Sequence, residues 1–294
     1  MGRKRSMHGW CLVFGVSLGA VLVTILPGNT ADLETIRDRG FLLVAVHGDR
    51  FPLSFRDAVG NWSGFEVEMA HTLALELLGK RDAVKLIPVP NSDRLRVVAD
   101  GQVDIAIASI TATASRSRWV EFSAPYYFER SAIVIQNNSS PNNLVRTMRD
   151  LRGRSVAVLK NSSAMDALMS ERLGLTLVEV ENYADGWSKL RSGQVQALAG
   201  DRVMVLGAMQ KDADLRLLPE EFGSYPMAIA MPKGLQYSSL REKVNGVVDR
   251  WQRSGWLREQ WQRWNLDSLG HYIYSSKLFY LVMNVTHSEG AELR

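Results

Sequence analysis

The 294-residue sequence predicts an α/β protein built as two lobes, with the chain crossing twice between them. Three observations lead there. From residue 41 onward, short apolar runs rich in β-branched residues alternate with longer segments of helical period. The short runs lack the in-out alternation of a half-exposed sheet and read as buried strands. Two such βα series can be separated, one over roughly residues 41–130 and one over roughly 150–225, with the polar stretch Gln136–Pro141 between them.

In chain order, strands are expected at Leu42–Val46, Val84–Val89, Asp104–Ala108, Ala132–Ile135, Ser155–Leu159, Leu175–Val180, Gln196–Gly200 and Met227–Met231. The helix after Gly64 puts Met69, Ala70, Leu73, Ala74, Leu77 and Leu78 on one stripe, and leaves Glu66, Thr72, Glu76 and Lys80 outside it. His71 falls on the polar side, where a solvated histidine is expected rather than a ligand, and Gly79 stops the helix. The strand Met227–Met231 and the helical stretch Leu240–Trp264 are placed back on the first lobe. That puts the crossings near Arg130–Ser131 and Ser224–Pro226, the connectivity of a hinge. Lobe 1 is then residues 32–130 with 226–270, and lobe 2 is residues 131–225. Trp251, Trp256, Trp261 and Trp264 are expected to pack onto the sheet, and residues 271–294 form a tail to which no role is assigned.

Residues 1–31 stand apart. Arg3, Lys4 and Arg5 precede an apolar run from Trp10 to Leu26 that ends at Pro27 and Gly28, the order of a secretory signal. Cleavage is expected near Ala31, and an uncleaved N-terminal anchor is the alternative that the length of the run allows. With the three leader cations set aside, 32 basic residues face 31 acidic ones, so no nucleic-acid surface is indicated. Cys11 is the single cysteine and lies in the leader, which excludes a disulfide, a zinc-thiolate site and a cysteine nucleophile from the remainder. No metal or cofactor is expected.

Ligands of open α/β sheets settle beyond the carboxyl ends of strands. Three such junctions carry suitable chemistry. Ser109 to Arg116 combines hydroxyls, exposed backbone and a guanidinium whose fork fits a carboxylate, although a capped turn with Arg116 on the surface reads equally well. Asn161 to Asp166 places Ser163 and Asp166 in the spacing of a capping box, at a helix start whose free N–H groups would also accept an anion. Asp201, directly after a strand, can cap a helix or bind a cation. Together the three would serve both poles of a zwitterion.

Gly64-Phe-Glu-Val-Glu-Met69 resembles the signature of the bacterial extracellular solute-binding proteins, family 3. The order continues through Asn91 to Arg94, Gly101-Gln-Val-Asp104, Thr111 to Arg116, Phe122-Ser123, Tyr126-Tyr127, Asp150-Leu-Arg-Gly153, Asp201 and Pro232-Lys-Gly234, and covers about residues 33–267. The resemblance implies a periplasmic-binding-protein type II fold with a two-strand hinge. It also implies a periplasmic, monomeric receptor that delivers a free amino acid to the membrane permease of an ABC transporter. Carried over by position, Arg116 would bind the ligand α-carboxylate with the Thr111 and Ser163 N–H groups, while Asp201, the Ser109 carbonyl and the Thr111 hydroxyl would hold its ammonium. The side-chain pocket falls on His47, Arg50, Asn91 and Leu159. His47 stands where binders of basic amino acids tend to carry an aspartate, and Arg50 where a glutamine binder would offer an aromatic ring. Two potential cations would repel lysine or arginine, so an acidic or polar neutral ligand is favoured. Two other classes share the scaffold. A cyclohexadienyl dehydratase would need an added acid in the cleft, which the carried-over positions do not supply. A sensor module would continue into spanning helices and a signalling domain.

Overall fold

The computed structural model describes residues 32–137, 145–209 and 212–266, so the leader and the tail discussed above lie outside the described residues. Helix α1 (Leu33–Arg39) starts on Asp32, whose side chain accepts from the Thr35 N–H, and ends at Gly40 in the left-handed region. Strand β1 (Leu42–Val46) follows, then a small antiparallel sheet of β2 (Asp49–Arg50), β3 (Ser54–Arg56) and β4 (Trp62–Ser63). Gly64 leads into α2 (Phe65–Leu78) with φ 124°, and a Cβ there would sit 2.3 Å from the Leu53 carbonyl oxygen, so only glycine lets the chain pass. Next come β5 (Val84–Pro88), α3 (Arg96–Ala99), β6 (Ile105–Ala106) and β7 (Glu121–Phe122).

The long strand β8 (Tyr127–Gln136) leads to β9 (Ser155–Leu159), α4 (Ser163–Glu171), β10 (Thr176–Val180), α5 (Tyr183–Arg191), β11 (Ala197–Asp201) and α6 (Arg202–Met209). A second long strand, β12 (Leu215–Met227), precedes β13 (Ala230–Met231), α7 (Ser238–Ser254) and α8 (Trp256–Arg263).

These strands form two five-stranded sheets, ordered β5-β1-β6-β13-β7 and β10-β9-β11-β8-β12. Each has a parallel set, β5-β1-β6 in one and β10-β9-β11 in the other, flanked by antiparallel strands. Strands β8 and β12 pair antiparallel along most of their length, with register shifts between Leu217 and Glu221 and between Phe222 and Tyr225.

Several expected boundaries move. The strand expected at Asp104–Ala108 shrinks to Ile105–Ala106: at its start the Asp104 carboxylate takes Arg39 and the Leu43 N–H, and past its end the Ala108 and Ser109 carbonyls accept from Arg94. The strand expected at Met227–Met231 is divided, with Met227 closing β12 and Ala230–Met231 forming β13. The C-terminal helical stretch is broken at Gly255, where φ is 84°. The tryptophans pack as expected: Trp251 stacks on Trp256 at 4.5 Å, Trp261 meets Tyr127 edge-on at 5.8 Å, and Trp264 meets Phe55 at 6.3 Å. Glu66 is the clear correction. Expected on the solvent face of α2, it is fully buried, because the loop at Ser109 covers the first turn of that helix. Among the described residues, no helix is long and apolar enough to cross a membrane.

Candidate functional site

The loop after β6 turns sharply at Ser109, whose φ of 51° lies in the left-handed region. Glu66 holds that turn. Its Oε1 accepts from the Ser109 N–H at 2.7 Å, the Ser109 hydroxyl at 3.0 Å and the Tyr126 hydroxyl at 2.6 Å. Burial raises the Glu66 carboxyl above its ordinary range, and these three donors work in the opposite direction. The Ser109 carbonyl, expected to face a ligand ammonium, accepts from Arg94 Nη1 at 2.8 Å. Arg94 also donates to the Asn91 and Ala108 carbonyls, and burial brings its guanidinium down to about 9.

Beyond the turn, Thr111 bridges to Met227 of β12, and the Ala112 N–H donates to the Pro226 carbonyl at 2.8 Å. The Thr111 hydroxyl shares a 2.7 Å hydrogen bond with the Ser163 hydroxyl at the start of α4. The cap of α4 is Ser162 rather than Ser163: the Ser162 hydroxyl accepts from the Met165 N–H, which leaves the Ser163 side chain free to reach Thr111. Arg116, half-buried, donates through Nη1 to the Thr111 carbonyl and through Nη2 to the Asn161 carbonyl, both at 3.1 Å. Its guanidinium therefore spans the gap between the two sheets' loops. Burial lowers its affinity for its proton, while Asp166 and Asp201 raise it.

Asp201 ends β11 buried, with its N–H donating to the Tyr183 hydroxyl at 2.9 Å. Its Oδ2 accepts from Arg50 Nη1 at 3.3 Å, and Arg50 Nη2 donates to Asn91 Oδ1 at 2.8 Å. The Asn91 amide donates in turn to the Lys160 carbonyl at 2.7 Å. The Arg50 guanidinium lies 5.4 Å from the centre of the Tyr183 ring. His47 is buried and stays neutral: burial, then the Arg50 and Arg94 charges, lower its imidazole well below the usual range.

All nine sequence-derived residues thus collect at the meeting of the two sheets' loops. Ser109, Thr111, Arg116 and Ser163 form one group, and Asp201, Arg50 and Asn91 the other. The Asp201 charge, after that of Asp166, favours the charged form of Arg116. His47, Arg50, Asn91 and Leu159 line a cavity of about 340 Å³ together with Tyr183. A neighbouring cavity of about 280 Å³ is lined by Asn91, Arg94, Arg116, Asn161 and Asp166.

Three contributors escaped the sequence reading. Tyr183 carries no motif, and its only signal is its place just past the carboxyl end of β10. Glu66 sits inside a quoted motif but looked solvent-facing. Glu129, on β8, is buried, with Oε1 accepting from the Arg130 N–H and its carboxylate also facing the Val203 N–H. Burial and then the Asp201 charge raise its carboxyl well above the usual range.

Residues 42–267 match the bacterial extracellular solute-binding proteins, family 3. A glutamine-binding protein of Geobacillus stearothermophilus is 29% identical over 212 residues, 71% of this chain and 79% of that protein. A solute receptor for L-cysteine from Neisseria gonorrhoeae superposes with a TM-score of 0.74 at 25% identity, covering 83% of this chain and 98% of that one. A cyclohexadienyl dehydratase of Pseudomonas aeruginosa is 26% identical over 256 residues, 81% of this chain and 88% of that protein.

Proposed function

Since the chain belongs to the bacterial extracellular solute-binding proteins, family 3, and has the α/β fold of type II periplasmic binding proteins, we propose that it is the periplasmic receptor of an amino-acid ABC transporter. It acts as a monomer that binds a free α-amino acid with an acidic or polar neutral side chain and delivers it to a membrane permease. The observation that carries this reading is the bridge between the loops of the two sheets, where the Thr111 hydroxyl meets the Ser163 hydroxyl and Arg116 meets the Asn161 carbonyl, in the same cluster as the buried Arg50–Asp201 pair. Arg116, with the N–H groups of Thr111 and Ser163, receives the α-carboxylate. Asp201, the Ser109 carbonyl and the Thr111 hydroxyl receive the ammonium.

The lobes are residues 32–130 with 226–270 and residues 131–225, and the paired strands β8 and β12 serve as the hinge. A ligand that carries both charges draws Arg116 of the first lobe and Asp201 of the second together and favours closure. In this reading the Thr111–Ser163 hydrogen bond and the Arg116–Asn161 contact are the latch of the closed cleft.

An enzymatic reading has support from the dehydratase relative. It requires an acid facing the substrate: the buried acids Glu66 and Glu129 line neither cavity, and those that do, Asp49 and Glu181 in the larger and Asp166 in the smaller, are all exposed to solvent. Turnover of arogenate or prephenate is what separates the two readings.

The test is a thermal-shift screen of the purified protein against the twenty amino acids, arogenate and prephenate. A ligand at 100 times its Kd stabilises by about 2.7 kcal/mol, which is about 5–10 °C for a protein of this size. Selective stabilisation by an amino acid, without turnover of either cyclohexadiene, supports the receptor. No shift with any amino acid refutes it.

A further inference from the structure

Arg50 is 3% exposed, and its buried positive charge is matched by Asp201 at 3.3 Å. That is long for a charge-assisted contact and uses one of the carboxylate's several acceptor sites, so Asp201 can also accept from another cation. Under the reading above, the other cation is the ligand ammonium. Once the ammonium takes Asp201, Arg50 keeps Asn91 Oδ1 and the Tyr183 face, both uncharged, and feels the positive charge of Arg94 beside it. A buried guanidinium left in that state opposes binding of the ligand that displaced its partner.

The cavity of about 340 Å³ opens directly onto this guanidinium. His47 lines the same cavity, 3% exposed, with Nε2 lacking any hydrogen-bond partner. Asp49 and Glu181 stand at its exposed rim, Glu181 with Lys160 at 3.3 Å, and leave the inner wall to Arg50 and His47. We propose that this inner wall reads a second carboxylate on the ligand, with Arg50 exchanging Asp201 for it as the ligand ammonium arrives.

The charges then match group for group. The α-carboxylate pairs with Arg116, the ammonium with Asp201, and the distal carboxylate with Arg50, whose remaining N–H donors offer a planar fork. The chemistry is an α-amino acid bearing a second carboxylate, and it has two sources: an acidic side chain, or the second head of a bis-amino acid.

This inference rests on the receptor reading, and titration calorimetry separates the two. Aspartate and glutamate are compared with their isosteres asparagine and glutamine, and cystine with methionine, on the wild type, R50Q and R50K. The expected result is that one dicarboxylate binds at least tenfold tighter than its neutral counterpart. R50Q should cut that ratio tenfold or more, and R50K should cut it less. Preference for aspartate or glutamate assigns the acidic side chain, and preference for cystine assigns the double head. A best ligand without a second carboxylate, or an R50Q protein that keeps the ratio, overturns the inference and leaves the receptor intact. No binding by any amino acid overturns both. Should R50Q fail to fold, the wild-type ratio decides.

Discussion

Arg116 is the residue on which the proposed reading can be broken most directly. In the protein alone it makes two hydrogen bonds to carbonyls, those of Thr111 and Asn161, each 3.1 Å long. It is half-buried, so water can replace part of what is lost, and Arg116→Ala should cost stability only about 1–2 kcal/mol. Binding should suffer far more. The ligand carboxylate would be desolvated in the cleft with no cation opposite it, a loss of about 2–5 kcal/mol, or about 30-fold to several thousand-fold in Kd. Arg116→Lys keeps the charge but loses the second parallel hydrogen bond, so a loss of about tenfold is expected. Titration calorimetry with the ligand found by the thermal-shift screen, beside thermal melts of the free proteins, separates the two quantities. An Arg116→Ala protein that folds and binds within threefold of wild type would refute the assignment, because no other guanidinium in the site spans Thr111 and Asn161 in the same way.

The remaining predictions test the surroundings. Asp201→Ala strips the counterion from buried Arg50 and should lower stability by about 3 kcal/mol, about 6–12 °C in a melt, while weakening binding at least 30-fold; a melting temperature within 2 °C of wild type would contradict the ion pair. Gly64→Ala forces a Cβ to 2.3 Å from the Leu53 carbonyl oxygen at a φ of 124°, and should cost more than about 2 kcal/mol by chemical denaturation. Glu129 has a carboxyl raised by burial and by Asp201, so the folded protein keeps that proton where the unfolded chain, near 4.5, has released it. Its contribution to stability is present below that value and is lost as pH rises through the folded one. Glu129→Gln should therefore flatten the decline in melting temperature as pH rises above about 4.5, and an unchanged slope would exclude this role.

Much of the fold was legible because buried parallel strands announce themselves. Leu42–Val46 and Ser155–Leu159 are continuous apolar runs, and each begins and ends where the sequence places it. Strand β12 was not legible before its last residue, Met227. It carries Pro219, Gly223 and Pro226, which read as breaks, yet it lies at the edge of its sheet, where bulges accommodate a missing N–H and a positive φ. The site was legible wherever function sits just after a strand, as with Ser109, Thr111 and Asp201. It was illegible where a side chain is assigned its role by a distant partner. Nothing near Glu66 in sequence reveals that a loop 43 residues away will cover it, and nothing near Arg50 reveals Asp201, 151 residues away. Periodicity describes one element at a time, and these pairings exist only between elements.

The division of labour in the cleft has a consequence for how such a protein could be retuned. The groups proposed for the common head of every α-amino acid are pinned by main-chain contacts: Thr111 by its bridge to Met227, Ser109 by Glu66 through its N–H, and Asp201 by its N–H on Tyr183. Arg50 and Asn91 meet each other through side-chain atoms, the Nε2 edge of His47 has no hydrogen-bond partner, and all three lie between residues 47 and 91. Exchanging His47 or Asn91 should alter what the cavity selects while the contacts of Thr111 and Ser109 and the pairing of β8 with β12 stay as they are, whereas Arg50 is tied to Asp201. Under the proposed reading, diversity of ligand can then accumulate in one short stretch of chain while most of the head-group contacts are kept.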